Sequence, residues 1–273
     1  MLAIELACVA ILTLFVVVRT RVDERPAVLL RRLALMALAS WIGEETCIRF
    51  YGFYFYSPEW SARIGHVPLL VPLIWPVVIQ SAYDLARRLA PGRAALFGGA
   101  LVLFDASLIE PIAVQARLWF WTEPGLFSVP IIGVLGWAFF GAACMLVFEL
   151  RRDRAPTLAS DALVLVAAPV ATHLLLNVAW WGALRWMQGE LPPWPAVGAV
   201  WIVSLALTAR AIQTGARRLV PRVDIALRIP AAGFFFVLLA LRGSDIGPLV
   251  AYALAFAPPY LALTRLRDDP AGG

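Results

Sequence analysis

The sequence predicts an all-α, polytopic transmembrane bundle of about nine spans, with its N-terminus outside and its C-terminus cytoplasmic. Three observations predict it. Of 273 residues, 62% are hydrophobic and only 15% charged, whereas a soluble domain carries about a quarter charged residues. Runs such as 1–18, 67–82 and 129–148 approach or exceed the roughly 20 apolar residues that cross a hydrocarbon core. Short arginine clusters recur at every alternate connection between such runs, which is the mark of cytoplasmic loops.

The spans fall at approximately 2–18, 27–48, 67–86, 94–116, 129–149, 158–182, 194–213, 225–241 and 246–264. In the first, the positive charges Arg19, Arg21 and Arg25 follow the apolar run and no A-x-A site is present, so a retained helix is expected instead of a cleaved signal peptide. With the N-terminus outside, every arginine except Arg49, Arg63, Arg117, Arg185 and Arg242 falls on the cytoplasmic side, Arg228 included. A missed span would reverse this pattern downstream. The last two helices are the weakest: the eighth is short, and Pro258 and Pro259 interrupt the ninth, which leaves a count of eight open. One integral membrane domain, 1–273, is expected.

Several function classes are excluded. All 23 basic residues are arginine, so no lysine can form a Schiff base and a retinal-binding opsin is out. The formal charge of +5 is accounted for by membrane orientation, and no nucleic-acid partner is expected. Cys8, Cys47 and Cys144 lack a CxxC spacing and indicate neither a disulfide framework nor a zinc site. Two histidines are too few for a membrane di-iron enzyme, and haem ligation by His66 and His173 is the weaker reading. Aspartate-rich pyrophosphate motifs, a P-loop and a Rossmann glycine pattern are all missing. Acid chemistry without a metal or cofactor remains, or transport.

Three outer connections are crowded with rings: FYGFYFYSPEW at 50–60, WFWTEPGLF at 119–127 and WWGALRWMQGELPPW at 180–194. An interfacial belt accounts for most of them. The functional reading is an aromatic mouth for a large apolar ligand. VPLLVPLIW at 67–75 and VPIIGVLGW at 129–137 both place Trp seven residues after the proline. Each follows an aromatic loop and a helix with carboxylates in its outer half. A duplicated hairpin over 27–86 and 94–149 is one reading; coincidence in a Pro- and Trp-rich chain is the other.

Charged groups deep in a span are costly and are functional suspects by default. Helix two carries Glu44 and Glu45, helix four Asp105 and Glu110, and helix six His173 and Asn177, which are four apart and share a face. At about 1.5 Å of rise per residue, Asp105 lies near mid-membrane and the others in the outer half. Pro111 removes the backbone donor to residue 107, so a kink beside these acids is expected. Asp84 and Asp161, near cytoplasmic ends beside arginines, read as salt-bridged or solvated.

The segments GEETCIRFYGFYFYSPEWSARIGHVPLLVPLIW and DASLIEPIAVQARLWFWTEPGLFSVPIIGVLGW resemble the two signature regions of the membrane carotenoid hydratases. That family includes carotenoid 1′,2′-hydratases and bisanhydrobacterioruberin hydratases. The resemblance is densest over 43–137, and D-x4-E-P followed by W-x-W and VP-x5-GW is its most specific part. One departure is visible: Gly133 and Val134 stand where the family pattern has Asn-Phe.

The resemblance implies hydration of the terminal double bond of an acyclic carotenoid, through protonation to a tertiary carbocation and capture of water. The substrate would be dissolved in the bilayer, here the inner membrane of a bacterium, and no metal or cofactor is called for. Asp105 or Glu110 would donate the proton and Glu44 or Glu45 would help to activate water. His173, Asn177, Tyr51, Tyr54, Trp75, Trp119, Trp121 and Trp137 would line the substrate site, the rings stabilising the cation. A lycopene-cyclase-like enzyme, which excludes water from the same cation, and a transporter or lipid-binding protein are the alternatives.

Overall fold

The computed structural model describes residues 1–151 and 157–264. Arg152, Arg154, Arg265, Arg267 and the C-terminus lie outside the described residues. Among the described residues, eight helical segments are long and apolar enough to cross a membrane, and the chain is an integral membrane protein. They comprise α1 (Leu2–Val22), α2 (Pro26–Tyr51), α4 (Ala94–Gln115), α5 (Ile131–Leu150), α6 (Leu158–Asn177), α7 (Pro193–Gln213) and two broken segments. The first of these is α8 (Arg222–Ala226) with α9 (Ile229–Arg242), the second α10 (Gly247–Leu254) with α11 (Ala257–Thr264). The second break falls just ahead of Pro258 and Pro259, as their missing N–H donors require.

The remaining sequence-predicted span, α3 (Leu70–Leu89), has a polar inner half containing Gln80, Asp84, Arg87 and Arg88. It occupies the centre of the bundle and packs on α1, α2 and α4. Eleven of its twenty residues are buried, Gln80 among them, whereas Arg87 and Arg88 at its inner end are exposed. Asp84 accepts from Gln80 at 2.9 Å and pairs with Arg19 of α1 at 2.9 Å. The same arginine reaches Asp224 of α8 at 2.9 Å, so one guanidinium ties three helices together near their inner ends. Asp161 likewise pairs with Arg31.

Local signals fix several ends. Gly52 closes α2 in the left-handed conformation at φ 61°, its N–H bonded to Ile48, a conformation that costs any other residue. Thr157 and Ser160 form a capping box at the start of α6, and α6 runs on into a π-helical turn over Val178–Leu184. Helix α4 continues through Pro111 to Gln115.

The all-α bundle expected from the sequence is the one observed, and its outer loops add short strands. Tyr54–Tyr56 (β1) pairs antiparallel with Trp119–Trp121 (β4), in the register Tyr54 to Trp121, Phe55 to Phe120 and Tyr56 to Trp119. A smaller hairpin joins Arg63–Ile64 (β2) to Val67–Pro68 (β3). Aromatic residues are strong strand formers, and the ribbon lies across the outer end of the bundle.

Candidate functional site

The ribbon follows from how its two parent helices stop. Gly52 turns the chain out of α2, and Arg117, at φ 58°, turns it out of α4. The two returning strands are stitched by Ser57 N–H to Leu118 O at 3.0 Å, Thr122 N–H to Phe53 O at 2.8 Å and the Trp60 indole to Leu118 O at 3.0 Å. Side chains alternate across a strand. Phe55 and Phe120 therefore stack on the outer face, ring centroids 5.2 Å apart. Tyr54, Tyr56, Trp119 and Trp121 turn inward, towards two carboxylates.

Glu44 of α2 accepts hydrogen bonds from Tyr54 Oη, from Tyr56 Oη at 2.7 Å and from Trp75 Nε1 at 2.8 Å. Glu110 of α4, only 2% exposed, accepts from Trp119 Nε1 at 2.8 Å, Trp121 Nε1 at 2.9 Å and Trp137 Nε1 at 2.6 Å. Each carboxylate thus takes two donors from the strand that follows its own helix and one from the helix after that. Trp75 and Trp137 meet at 4.4 Å between centroids. Burial first, then the neighbouring Glu44 charge, holds the Tyr54 and Tyr56 phenols well above the ordinary phenol range. Both are neutral O–H groups.

The two carboxylates line one cavity of about 590 Å³. Its walls are apolar and aromatic, and along α3 they run from Val71 to Ser81, roughly 15 Å at the helical rise. Ile229 and Leu261 on its rim are 58% and 60% exposed. Both are apolar residues on segments long and apolar enough to cross a membrane.

The other sequence-selected residues divide. Asp105 also lines the cavity, but further in and fully engaged: it pairs with Arg228 and accepts from Tyr260 Oη at 2.6 Å. Arg228 donates on to Tyr260 Oη and to Ser81 Oγ, each at 2.8 Å. The expectation that Arg228 lies with the cytoplasmic arginines is corrected here. Its side chain is 13% exposed and reaches into the bundle, where Asp105 compensates its charge.

Glu45 turns away from the cavity. It accepts from Arg49 Nε at 2.7 Å and from His66 N–H at 2.8 Å, and its other contact is His66 Nδ1 at 2.9 Å. It fastens the β2–β3 hairpin. Gly65, at φ 65°, leaves it room, since a Cβ there would sit 2.6 Å from Glu45 Oε1.

His173 lines the cavity. Thr46 Oγ1 donates to Ile42 O at 2.6 Å, so it accepts from His173 Nε2, 2.7 Å away. Nδ1 then accepts from Tyr51 Oη at 3.1 Å, and Asn177 Nδ2 donates to that phenol at 2.7 Å. Tyr51 and Asn177 do not line the cavity; they stand behind His173 and orient it. Tyr56, Tyr260, Arg228 and Ser81 also line the cavity, and sequence reasoning missed them. Only Tyr56 had a signal, its spacing of two from Tyr54.

Gly133 now has a physical account. A Cβ at this position would lie 2.6 Å from Cζ2 of Trp121. The missing side chain admits the indole that reaches Glu110.

The model of a family described as carotenoid biosynthesis protein matches residues 2–205. A stretch of 112 residues is 29% identical to bisanhydrobacterioruberin hydratase of Haloarcula japonica, covering 38% of this chain and 38% of that relative. The match thus spans well under half of the relative's length. No solved structure matches.

Proposed function

The chain belongs to the carotenoid biosynthesis protein family, and from that premise we propose that it hydrates the terminal double bond of an acyclic carotenoid end group. One observation carries the reading: two hydrogen-bonded carboxyl groups face a single aromatic-walled cavity. The activity named for the Haloarcula relative supports it.

The chemistry fits those groups. Adding water across a trisubstituted alkene begins with a proton, and the resulting tertiary cation must be held until water arrives. A carboxyl of the Glu44–Glu110 pair delivers the proton, and its twin, as a carboxylate, faces the cation. The faces of Trp75 and Trp137 add cation–π stabilisation. His173, whose two ring nitrogens are taken by Thr46 and Tyr51, contributes part of the cavity wall. Asp105 leaves the donor role, because both its oxygens are already engaged, by Arg228 and Tyr260, and Glu45 leaves it because it faces away.

The test is expression of the protein in a bacterial host that accumulates lycopene or γ-carotene, followed by mass analysis of the pigments. Products heavier by one water are expected. Cyclised products of unchanged mass would transfer the reading to a cyclase, and unaltered pigments would overturn it.

A further inference from the structure

The two carboxylate cages match in geometry and differ in chemistry. Among the described residues, every hydrogen-bond partner of Glu110 is an indole N–H, with Trp119 and Trp121 on Oε2 and Trp137 on Oε1. Indole nitrogen donates and never accepts. A proton on Glu110 would find no acceptor among these partners and would weaken three bonds that are strongest to the ionised form. Glu44 has one indole, Trp75, on Oε1, and two phenols, Tyr54 and Tyr56, on Oε2. A phenol oxygen both donates and accepts. Rotation of one hydroxyl lets it receive an acid proton from Glu44 while the other still donates.

Two charged carboxylates on one apolar cavity repel each other, and sites of this kind hold a shared proton. We propose that Glu44 carries that proton and is the acid, that Glu110 stays a permanent anion facing the cation, and that Tyr54 and Tyr56 are the relay that recharges Glu44. This assignment rests on the hydratase reading. The cycle balances without a further reactant. The Glu44 proton forms a C–H bond at the less substituted alkene carbon with the π electron pair, leaving a tertiary cation between Trp75, Trp137 and the Glu110 carboxylate. Water oxygen then forms the C–O bond, and its released proton passes through a Tyr54 or Tyr56 hydroxyl back to Glu44. Glu110 gains and loses nothing.

Infrared spectroscopy of the purified full-length protein in lipid nanodiscs tests this without turnover, by the carbonyl stretch of a protonated carboxyl group and its shift in D2O. Glu44→Gln should remove the band, and Glu110→Gln should retain it. The Tyr54→Phe/Tyr56→Phe pair should shift its frequency, whereas Trp119→Phe should leave it in place. That pair also decides the matter if Glu44→Gln fails to insert. A band that disappears with Glu110→Gln, survives Glu44→Gln or ignores both tyrosines overturns the assignment. If the bands behave as expected but no acyclic carotenoid is hydrated, the reaction falls and the protonation pattern stands; hydration with the opposite band pattern separates the two the other way.

Discussion

The indole rings of Trp75 and Trp137 lie 4.4 Å apart, and their N–H groups point to different carboxylates, Trp75 to Glu44 and Trp137 to Glu110. Both stand seven residues after a Val-Pro pair. The strands ahead of them pair antiparallel with Phe55 opposite Phe120 at the centre, which is how two copies related by a two-fold axis would meet. We propose on this basis that 27–86 and 94–149 are two copies of one hairpin, with the axis passing between the two tryptophans.

If the two indoles serve equivalent cages, Trp75→Phe and Trp137→Phe should damage the reaction alike. Each removes a hydrogen bond to a buried carboxylate, a contact worth about 1.5–3 kcal/mol, so hydration should fall about 10- to 150-fold in either variant. Product yield in the carotenoid-accumulating host measures this. A variant with unchanged yield would take that tryptophan out of the site.

Gly133→Ala should act at a distance of one contact. The new Cβ meets a rigid ring, Trp121, held in a paired strand. Displacing it forfeits the 2.9 Å bond to Glu110, and a loss of about 10-fold in hydration is expected. Adding Trp121→Phe, which shortens the ring, should relieve the strain and raise melting temperature without restoring yield. If Gly133→Ala alone is fully active, the close approach has no functional weight.

Much of this was legible in the sequence, for identifiable reasons. Helices follow from apolar length, so the spans could be drawn, and the pairing of Val-Pro with Trp singled out Trp75 and Trp137. Glu110 stood out as an acid inside a span. The strands of Tyr54–Tyr56 and Trp119–Trp121 were hidden, because three alternating rings in a loop look the same as an interfacial belt until a partner strand is found. Arg228 was hidden for the opposite reason. Arginine near a span end is read as cytoplasmic, and only the tertiary fold brings Asp105 within its reach. Glu44 and Glu45 are adjacent in sequence, and successive helical residues point about 100° apart, so one faces the cavity and the other the hairpin.

The ribbon should be dispensable as a gate. If substrate enters from lipid past Ile229 and Leu261, fixing the ribbon leaves entry open. Directly opposed residues in an antiparallel pair have Cα atoms about 4.5–5.5 Å apart, within disulfide range. Phe55→Cys/Phe120→Cys should therefore cross-link on oxidation, with Cys8, Cys47 and Cys144 replaced by Ala or Ser in the background. Oxidised and reduced protein in proteoliposomes should hydrate a preloaded carotenoid within about 2-fold of each other. That allowance equals roughly 0.4 kcal/mol. A loss on oxidation that thiol restores would place the entrance at the outer face.

Asp105 offers the sharpest separation of a structural from a chemical carboxylate. Its partners, Arg228 and Tyr260, are held in the interior, so Asp105→Asn leaves a guanidinium without its counter-charge. Breaking one side of a buried pair costs about 3–5 kcal/mol, and the variant should lose melting temperature. Replacing both partners, as Asp105→Leu with Arg228→Met, should recover most of that loss, since an apolar pair of similar volume removes the stranded charge. Glu110→Gln should show the opposite balance. The amide turns an N–H towards indole N–H donors, which costs about 1–3 kcal/mol, while hydration falls by at least about 10²-fold. Thermal unfolding in nanodiscs and product yield, measured on the same preparations, give the two axes. The double variant at 105 and 228 should retain turnover once refolded into lipid. If it is stable but inactive, Asp105 and Arg228 belong to the reaction after all, and the division between an outer reactive pair and an inner structural pair is wrong.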